Sequence, residues 1–244
     1  MEGSGTKVGE RSEGAAAASA TPGAIAIDGP VAVGKTAVGG LIAERLGYRF
    51  VDTGMMYRAL AWLALRRRID LDDGEALGRM AVEASIELSL GSGETPAGRI
   101  TVDGVDVTDE LRSLEVGRAV SLVSRVPRVR EAMVALQRQL AAPGGIIMAG
   151  RDIGTVVLPD APLKVYLDAS QNERARRRHA ELREAGREVT LEAVRDDLAR
   201  RDKIDSERHV SPLRPAEDAI VIETDQLSLE DVVERIIGLV ACRS

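Results

Sequence analysis

The chain has 244 residues, which is enough for one domain of ordinary depth or for one core with inserted lobes. Its formal net charge of −6 and aromatic content of 2% argue against nucleic-acid binding, which favours a basic face or stacked rings. Cys242 is the only cysteine and the histidines are His179 and His209, so an internal disulfide and a metal site built from these residue types are excluded.

Residues 1–23 differ from the rest of the chain, because they are rich in Gly, Ala, Ser and Glu. Their longest apolar stretch, 15–18, is too short for a secretory signal, so we predict a disordered tail over 1–23 and a folded domain over 24–244. No apolar run approaches the roughly 20 residues of a membrane span. We therefore expect a cytoplasmic monomer with no membrane partner and no nucleic-acid partner.

Strands alternate with helices along the folded part. Short apolar runs predict five strands at 24–28, 48–52, 146–149, 163–167 and 219–223. Helical spacing and composition predict helices at 37–46, 55–68, 129–140, 173–184 and 191–201. This alternation is typical of an α/β fold whose five-stranded parallel sheet is flanked by helices.

One stretch breaks the alternation. Residues 85–90 and 99–107 alternate apolar and polar side chains, and Asp103-Gly104 within the second stretch is a hairpin-type turn. We predict a small inserted lobe with antiparallel strands over about 71–117, which leaves 24–70 and 118–244 as the core.

A glycine-rich turn lies between the first predicted strand and the first predicted helix. Residues 29–36 fit G-x-x-x-x-G-K-[ST] in full, in the context expected of a phosphate-binding loop. Gly29 and Gly34 let backbone N–H groups converge on phosphate oxygens, and the helix N-terminus adds a positive dipole. We expect Lys35 to reach the β- and γ-phosphates of a nucleoside triphosphate and the Thr36 hydroxyl to ligate Mg²⁺. The predicted nucleotide contacts are Gly29, Pro30, Val31, Ala32, Val33, Gly34, Lys35, Thr36 and Ala37.

Further blocks follow the loop in a fixed order. They are Asp52-Thr53-Gly54-Met55-Met56-Tyr57-Arg58, Val126-Pro127-Arg128-Val129-Arg130 with Gln137-Arg138, Gly150-Arg151-Asp152-Ile153-Gly154-Thr155, and Arg201-Asp202, Asp205, Arg208 with Ser211-Pro212-Leu213. Together with the loop they resemble the bacterial cytidylate kinases from residue 24 to the end. The resemblance implies a P-loop kinase with a monophosphate-binding inserted lobe and a mobile helical lid. It also implies phosphorylation of CMP and dCMP to CDP and dCDP with ATP as donor and Mg²⁺ as cofactor.

The resemblance assigns roles to single residues. Thr53 and Arg58 lie at the monophosphate site, with Arg58 on the acceptor phosphate, and Arg151 and Arg208 are further phosphate ligands. Those that recognise cytosine are Ser121, Arg130 and Asp152, and those that contact the sugar are Arg201 and Asp205. This cytosine set makes chemical sense, because a carboxylate accepts from the exocyclic amine while Ser and Arg donate to the ring acceptors. Uracil lacks the amine, which should cost about 1–3 kcal/mol.

The expected mechanism needs no general base, because the acceptor phosphate has a second pKa of about 6 and is already ionised at neutral pH. Catalysis should come from alignment and charge neutralisation by Lys35, Arg58, Arg151 and Arg208 with Mg²⁺. We expect a lid over about 173–190, from which Arg174 or Arg178 reaches the ATP phosphates. The alternative is a solvated helix face whose arginines pair with Glu181 and Glu184.

Two departures from the family pattern and two rival functions complete the sequence-based interpretation. Thr36 directly follows Lys35 and precedes Ala37, which moves the metal-binding hydroxyl to Thr36, and Met55 stands where a smaller residue is common. Asp28 and Asp52 could simply cap turns, and Tyr57 and Trp62 are interpreted as packing residues. The rival functions are another small-molecule kinase, such as an adenylate or shikimate kinase, and a nucleotide-gated switch. The Arg151-Asp152 block and the inserted lobe argue against another kinase, and a switch would not need three arginines at a second phosphate.

Overall fold

The structure is a computed structural model that describes residues 23–89 and 98–242. The predicted tail up to residue 22, and Leu90 at the end of a predicted strand, therefore lie outside the described residues. The strands are β1 (Ala24–Asp28), β2 (Arg49–Asp52), β3 (Ile86–Ser89), β4 (Arg99–Val102), β5 (Val105–Asp106), β6 (Ile146–Gly150), β7 (Leu163–Asp168) and β8 (Ile220–Glu223). The helices are α1 (Lys35–Leu46), α2 (Thr53–Arg66), α3 (Gly74–Glu83), α4 (Leu114–Ser124), α5 (Pro127–Ala141), α6 (Gln171–Glu184), α7 (Leu191–Glu207) and α8 (Leu229–Ala241).

The central sheet confirms the predicted α/β fold. Its strands run in the order β2-β6-β1-β7-β8, and all neighbours are parallel. Every residue of β1 and β6 is buried, as expected for strands covered by helices on both faces. The register pairs Asp28 with Gly150 and Asp52 with Ala149, so the carboxyl ends of β1, β2 and β6 meet at one edge.

A second sheet contains β3, β4 and β5 and is antiparallel, as the sequence predicts. Asp103 and Gly104 join its last two strands with φ angles of 51° and 79°, the geometry of a tight hairpin turn. This sheet packs against α2 and α3, in a cluster that includes Leu60, Leu77 and Ile100. The limit placed at residue 117 falls inside α4, so the division into core and inserted lobe stays a proposal.

Trp62 is the only tryptophan of the chain, and it lies on α2. Its partly buried ring packs against the same cluster as the small sheet, while the Arg66 guanidinium carbon lies 5.1 Å from the ring centroid. The packing role expected for Trp62 is thus confirmed.

The sequence analysis did not predict α3, α4 or α8. Each has a side-chain cap: Asp73 accepts from the Ala76 N–H, Ser113 from the Val116 N–H, and Ser228 from the Asp231 N–H. Such caps satisfy backbone donors that the first turn of a helix leaves free. Within the two described ranges, no helix combines the length and apolar character needed to cross a membrane.

Candidate active site

A cavity of about 930 Å³ opens where the parallel strands end. The site residues predicted from the sequence line this cavity, except for Gly29 and Pro30. They come from the loop after β1, from the helices α2, α4, α5 and α7, and from the residues that follow β6. The edge at the carboxyl ends of parallel strands is where α/β proteins usually bind ligands. The fold therefore brings together side chains from Val31 to Arg208, which lie far apart in the sequence.

The glycine-rich loop is shaped by two glycines. Gly29 has φ +149°, and a Cβ atom there would lie 2.2 Å from the backbone oxygen of Leu167, so a larger residue would push β1 and β7 apart. Gly34 has φ +99° and precedes the first turn of α1. Lys35 Nζ donates to the backbone oxygens of Gly29 at 2.8 Å and Pro30 at 2.6 Å. Burial, and then the charge of Arg151, lowers the pKa of Lys35 well below its usual value.

Thr36 faces a carboxylate across the mouth of the loop. Its Oγ1 donates to Asp52 Oδ2 at 2.6 Å, while Asp52 Oδ1 accepts from the Gly54 N–H at 2.9 Å. Hydroxyl and carboxylate oxygens are ligands that Mg²⁺ prefers, and Mg²⁺ usually takes its remaining ligands from phosphates and water. The donor set therefore fits a magnesium ion bound together with a triphosphate. Asp52 therefore caps α2, as considered from the sequence, and also accepts from the Thr36 hydroxyl.

Arg130 and Asp152 form a buried ion pair at the other end of the cavity. The side chains of both residues are at most 5% exposed, and Arg130 Nη2 donates to Asp152 Oδ2. Arg208 Nη2 lies 3.7 Å from Asp152 Oδ1, and Ser121 on α4 is also buried. The Nε of Arg130 has no hydrogen-bond partner among the described residues. The pocket thus holds a carboxylate acceptor, a hydroxyl and guanidinium donors, so it can bind a ligand that offers both hydrogen-bond donors and acceptors.

Further cationic groups converge between the loop and this pocket. Arg151 Nε donates to Asp205 Oδ2 at 3.0 Å, and Arg58 Nη1 donates to the Leu111 oxygen at 3.1 Å. Burial, and then the charges of Arg58 and Arg151, lowers the pKa of Arg201 to about 9. Burial also lowers the pKa of Arg58 and Arg208, and neighbouring guanidinium groups contribute in both cases. A phosphate placed among these groups would relieve their repulsion, so the cluster fits a phosphate.

The arginine-rich helix α6 sends different side chains to different places. Arg178 lines the cavity and pairs with Glu181 at 2.8 Å. Arg174 is buried away from the cavity, where it contacts the backbone oxygens of Val31 and Ala169. Of the two arginines expected to reach the ATP phosphates, Arg178 lines the cavity and Arg174 does not.

Comparison with known proteins identifies the family. A family model described as cytidylate kinase matches residues 25–241. The chain belongs to the cytidylate kinase family. The cytidylate kinase of Geobacillus sp. (strain WCH70) is 52% identical over 217 residues, which cover 88% of this chain and 95% of that protein. The cytidylate kinase of Desulfitobacterium hafniense (strain Y51) is 50% identical over 88% of this chain and 91% of its own length.

Two other similarities are of a different kind. A bifunctional pantoate ligase/cytidylate kinase of Synechococcus sp. (strain JA-2-3B'a(2-13)) is 48% identical over 88% of this chain. The matched region makes up 40% of that protein. Among solved structures, a shikimate kinase from Bacteroides thetaiotaomicron has a TM-score of 0.46 and 14% identity, covering 90% of this chain and 98% of its own. That likeness is too slight to support a shikimate kinase, whereas the cytidylate kinase family is shown directly.

The sequence analysis gave no site role to two residues at or near this cavity, Tyr57 and Asp28. The Tyr57 ring lines the cavity with the Arg130 guanidinium carbon 5.3 Å from its centroid, and burial raises the pKa of Tyr57 to about 12. Asp28 lies at the end of β1, where its buried carboxylate accepts from the N–H groups of Ile153 at 2.8 Å and Gly154 at 2.7 Å. These bonds fix the turn that directly follows Asp152. The sequence did contain a signal for both residues, because Tyr57 directly precedes Arg58 and Asp28 directly precedes the phosphate loop.

Asp28 should make the stability of the protein depend on pH. Burial raises its pKa from 3.8 to about 6, so the folded chain binds this proton more tightly than the unfolded chain does. Below about pH 4 Asp28 is protonated in both states, so its raised pKa does not change the free energy of unfolding. Above pH 6 the carboxylate is ionised in both states, and its burial lowers the free energy of unfolding by about 3 kcal/mol. Urea unfolding from pH 4 to 7 should show this fall in the wild type and not in Asp28→Asn. An exposed control, Asp196→Asn, should keep the wild-type slope; equal slopes in all three proteins would contradict the assignment.

Proposed function

We propose that this protein transfers the γ-phosphoryl group of ATP to CMP or dCMP, giving ADP and CDP or dCDP. It is a transferase whose acceptor is a phosphate group. The observation that supports this most directly is the buried Arg130–Asp152 pair, because both residues line the same cavity as the phosphate loop. A nucleotide switch needs only one anion-binding site. This cavity also has a second cationic cluster beside the buried pocket, which suits an acceptor nucleotide.

In this proposal the loop holds the donor. Residues 29–37 surround the triphosphate, which accepts from their backbone N–H groups (Pro30 has none) and from the N-terminus of α1, and Lys35 neutralises charge on its β- and γ-phosphates. The ammonium group is already within 2.8 Å of the loop oxygens, so a short side-chain movement suffices to reach a phosphate. Thr36 and Asp52 are the residues that would hold Mg²⁺, which would supply further charge neutralisation at the phosphates.

The acceptor nucleotide lies in the remaining part of the cavity. Arg58, Arg151 and Arg208 bind its phosphate, which is ionised at neutral pH and needs no base. Thr53 on the first turn of α2 also faces this position, although its hydroxyl now donates to the Ala149 oxygen at 2.9 Å. Arg201 and Asp205 on α7 contact the sugar. Transfer in line with the leaving ADP then depends on alignment and on charge stabilisation.

The base is selected by hydrogen bonds at the buried end of the cavity. Asp152 accepts from the exocyclic amine of cytosine, and Ser121 and Arg130 donate to its ring acceptors. Uracil would place an oxygen against the Asp152 carboxylate and leave a buried acceptor unpaired. That penalty of about 1–3 kcal/mol amounts to a factor of roughly 5 to 150 in turnover.

Several features of the protein stay proposals. They are the lid over about 173–190, the monophosphate-binding role of the lobe over about 71–117, the monomeric state and the cytoplasmic location. Arg178 is the lid residue that we place near the ATP phosphates, because it lines the cavity.

An acceptor panel tests the proposed function. ADP release should be fast with CMP and dCMP, slower with UMP by at least about fivefold, and at background with AMP or shikimate. The measured quantity is kcat/KM for each acceptor, determined in a coupled assay at a fixed ATP concentration. Equal values for CMP and UMP would overturn the cytosine assignment, and ADP release that needs no acceptor would favour a nucleotide switch.

A further inference from the structure

Arg174 connects the two halves of the proposed active site. Its Nη1 donates to the backbone oxygen of Val31 at 3.1 Å and pairs with Asp202 Oδ2 at 2.7 Å. Val31 belongs to the phosphate loop and Asp202 to α7, so one guanidinium nitrogen bonds both elements. Its Nε donates to the Ala169 oxygen at 3.1 Å, at the end of β7, and this contact fixes the plane of the group.

An apolar cluster makes the same connection independently. The Val31 side chain is buried with Ala175 and Leu182 of α6 and with Val194 and Leu198 of α7. A phosphate loop needs its backbone N–H groups for phosphate, yet here one of its side chains belongs to a core formed by two helices. Since protein cores are densely packed, a displacement of α7 is transmitted to Val31.

The helix at the far side of this connection carries the acceptor contacts. Arg201 precedes Asp202 and Asp205 follows it by one turn, and both line the cavity. Asp202 Oδ1 is buried and has no hydrogen-bond partner among the described residues, so Arg174 orients this carboxylate through Oδ2. Binding of the acceptor therefore acts on a helix that is bonded, through one side chain, to the donor loop.

We propose that Arg174 is a positioning residue that couples the two substrate sites, so that occupancy of either site raises the affinity of the other. This inference rests on the proposed function, because it takes the two ligands to be ATP and CMP. It replaces the sequence-based expectation that Arg174 contacts the ATP phosphates. Thermodynamic linkage requires the same factor in both directions. The dissociation constant of CMP without ATP, divided by that with ATP bound, must equal the dissociation constant of ATP without CMP, divided by that with CMP bound.

Calorimetric titration tests the coupling without relying on turnover. The probes are CMP and an ATP analogue with a non-hydrolysable β,γ bridge, each titrated in the absence and presence of the other with Mg²⁺. The wild type should give a coupling ratio of at least about five. Arg174→Lys keeps the charge but loses the planar fork that spans Val31 and Asp202, and Asp202→Asn keeps the shape but loses the ion pair. Both should bring the ratio to within about twofold of one.

Arg177→Lys is the matched control. Arg177 lies on the same helix and also makes an ion pair and backbone contacts, but its partners are Glu173 and Thr224. A merely structural role for helix α6 arginines would lower thermal stability in all three variants and leave the coupling ratio at the wild-type value. If Arg174→Lys does not fold, Asp202→Asn decides.

The outcomes separate this inference from the proposed function. Wild-type ratios retained in Arg174→Lys and Asp202→Asn, or a ratio lost equally in Arg177→Lys, would overturn the coupling role. A wild type that binds both ligands with a ratio of one would also overturn it while leaving the proposed function intact. A wild type that binds the analogue but not CMP would overturn both.

Discussion

Replacing Lys35 with methionine should lower kcat for CMP phosphorylation by about a thousandfold. The variant keeps an unbranched side chain in the buried position, so the loss comes from the ammonium group rather than from a void. Burial, and then the charge of Arg151, lowers the pKa of Lys35 although nearby carboxylates oppose this shift, and a bound phosphate would stabilise the ammonium group further. Steady-state kinetics at saturating CMP and ATP measure the effect.

The control for this variant is Lys203→Met, which removes an exposed ammonium group from α7. It should leave kcat within about twofold of the wild type, since surface substitutions have small effects. Thermal unfolding of both variants tells a catalytic loss from a folding defect. A Lys35→Met enzyme with near-normal kcat would show that the loop lysine does not act on the transferred phosphoryl group.

Replacing Asp152 with asparagine should lower kcat/KM for CMP by about a hundredfold or more and leave the KM for ATP nearly unchanged. The substitution removes the acceptor for the cytosine amine, and it also leaves the buried Arg130 and Arg208 without a carboxylate. Breaking a buried pair costs about 3–5 kcal/mol, part of which appears in folding stability and part in acceptor binding. The preference for CMP over UMP should fall towards one, because an amide both donates and accepts.

Kinetics with CMP, UMP and ATP varied in turn measure this pattern, and Asp160→Asn is the matched control because that carboxylate is exposed. The ratio of CMP to UMP turnover is the decisive quantity, since a general loss of stability would lower both equally. An unchanged ratio in Asp152→Asn would remove this residue from base recognition even if total activity fell.

The parallel sheet was predictable because strands buried on both faces have a simple composition. β1 is Ala-Ile-Ala-Ile-Asp and β6 is Ile-Ile-Met-Ala-Gly, and such continuous apolar runs between helices have few other interpretations. Sheet order and register depend on contacts between distant segments and are not encoded by any one run. The pairing of β2 with β6, nearly 100 residues apart, is therefore visible only in the structure.

The helices α3, α4 and α8 show what was overlooked. In α8, Ser228 and Asp231 form a reciprocal capping box directly before an apolar helix, a signal that was present in the sequence. In α3 the buried residues Leu77, Met80 and Ala81 lie at helical spacing, so this signal too was present, although Gly74 and Gly78 weaken the helical propensity.

The candidate site was predictable as a set of residues, but its internal pairing was not. The loop motif singled out Lys35, and the family resemblance singled out Arg130 and Asp152. Neither indicated that Arg130 pairs with Asp152 or that Lys35 bonds its own loop. The sequence also did not separate Arg174 from Arg178, which lie four residues apart on one helix. Their different partners follow from how α6 packs against the loop and α7, which is a property of the folded chain.

The lone indole of Trp62 gives the protein a built-in optical reporter. It packs against the core shared by α2 and the small antiparallel sheet. Its emission therefore monitors that half of the molecule without labelling, and the guanidinium of Arg66 over its ring makes the signal sensitive to local rearrangement. Stopped-flow mixing with either nucleotide would thus time the response of this half of the protein.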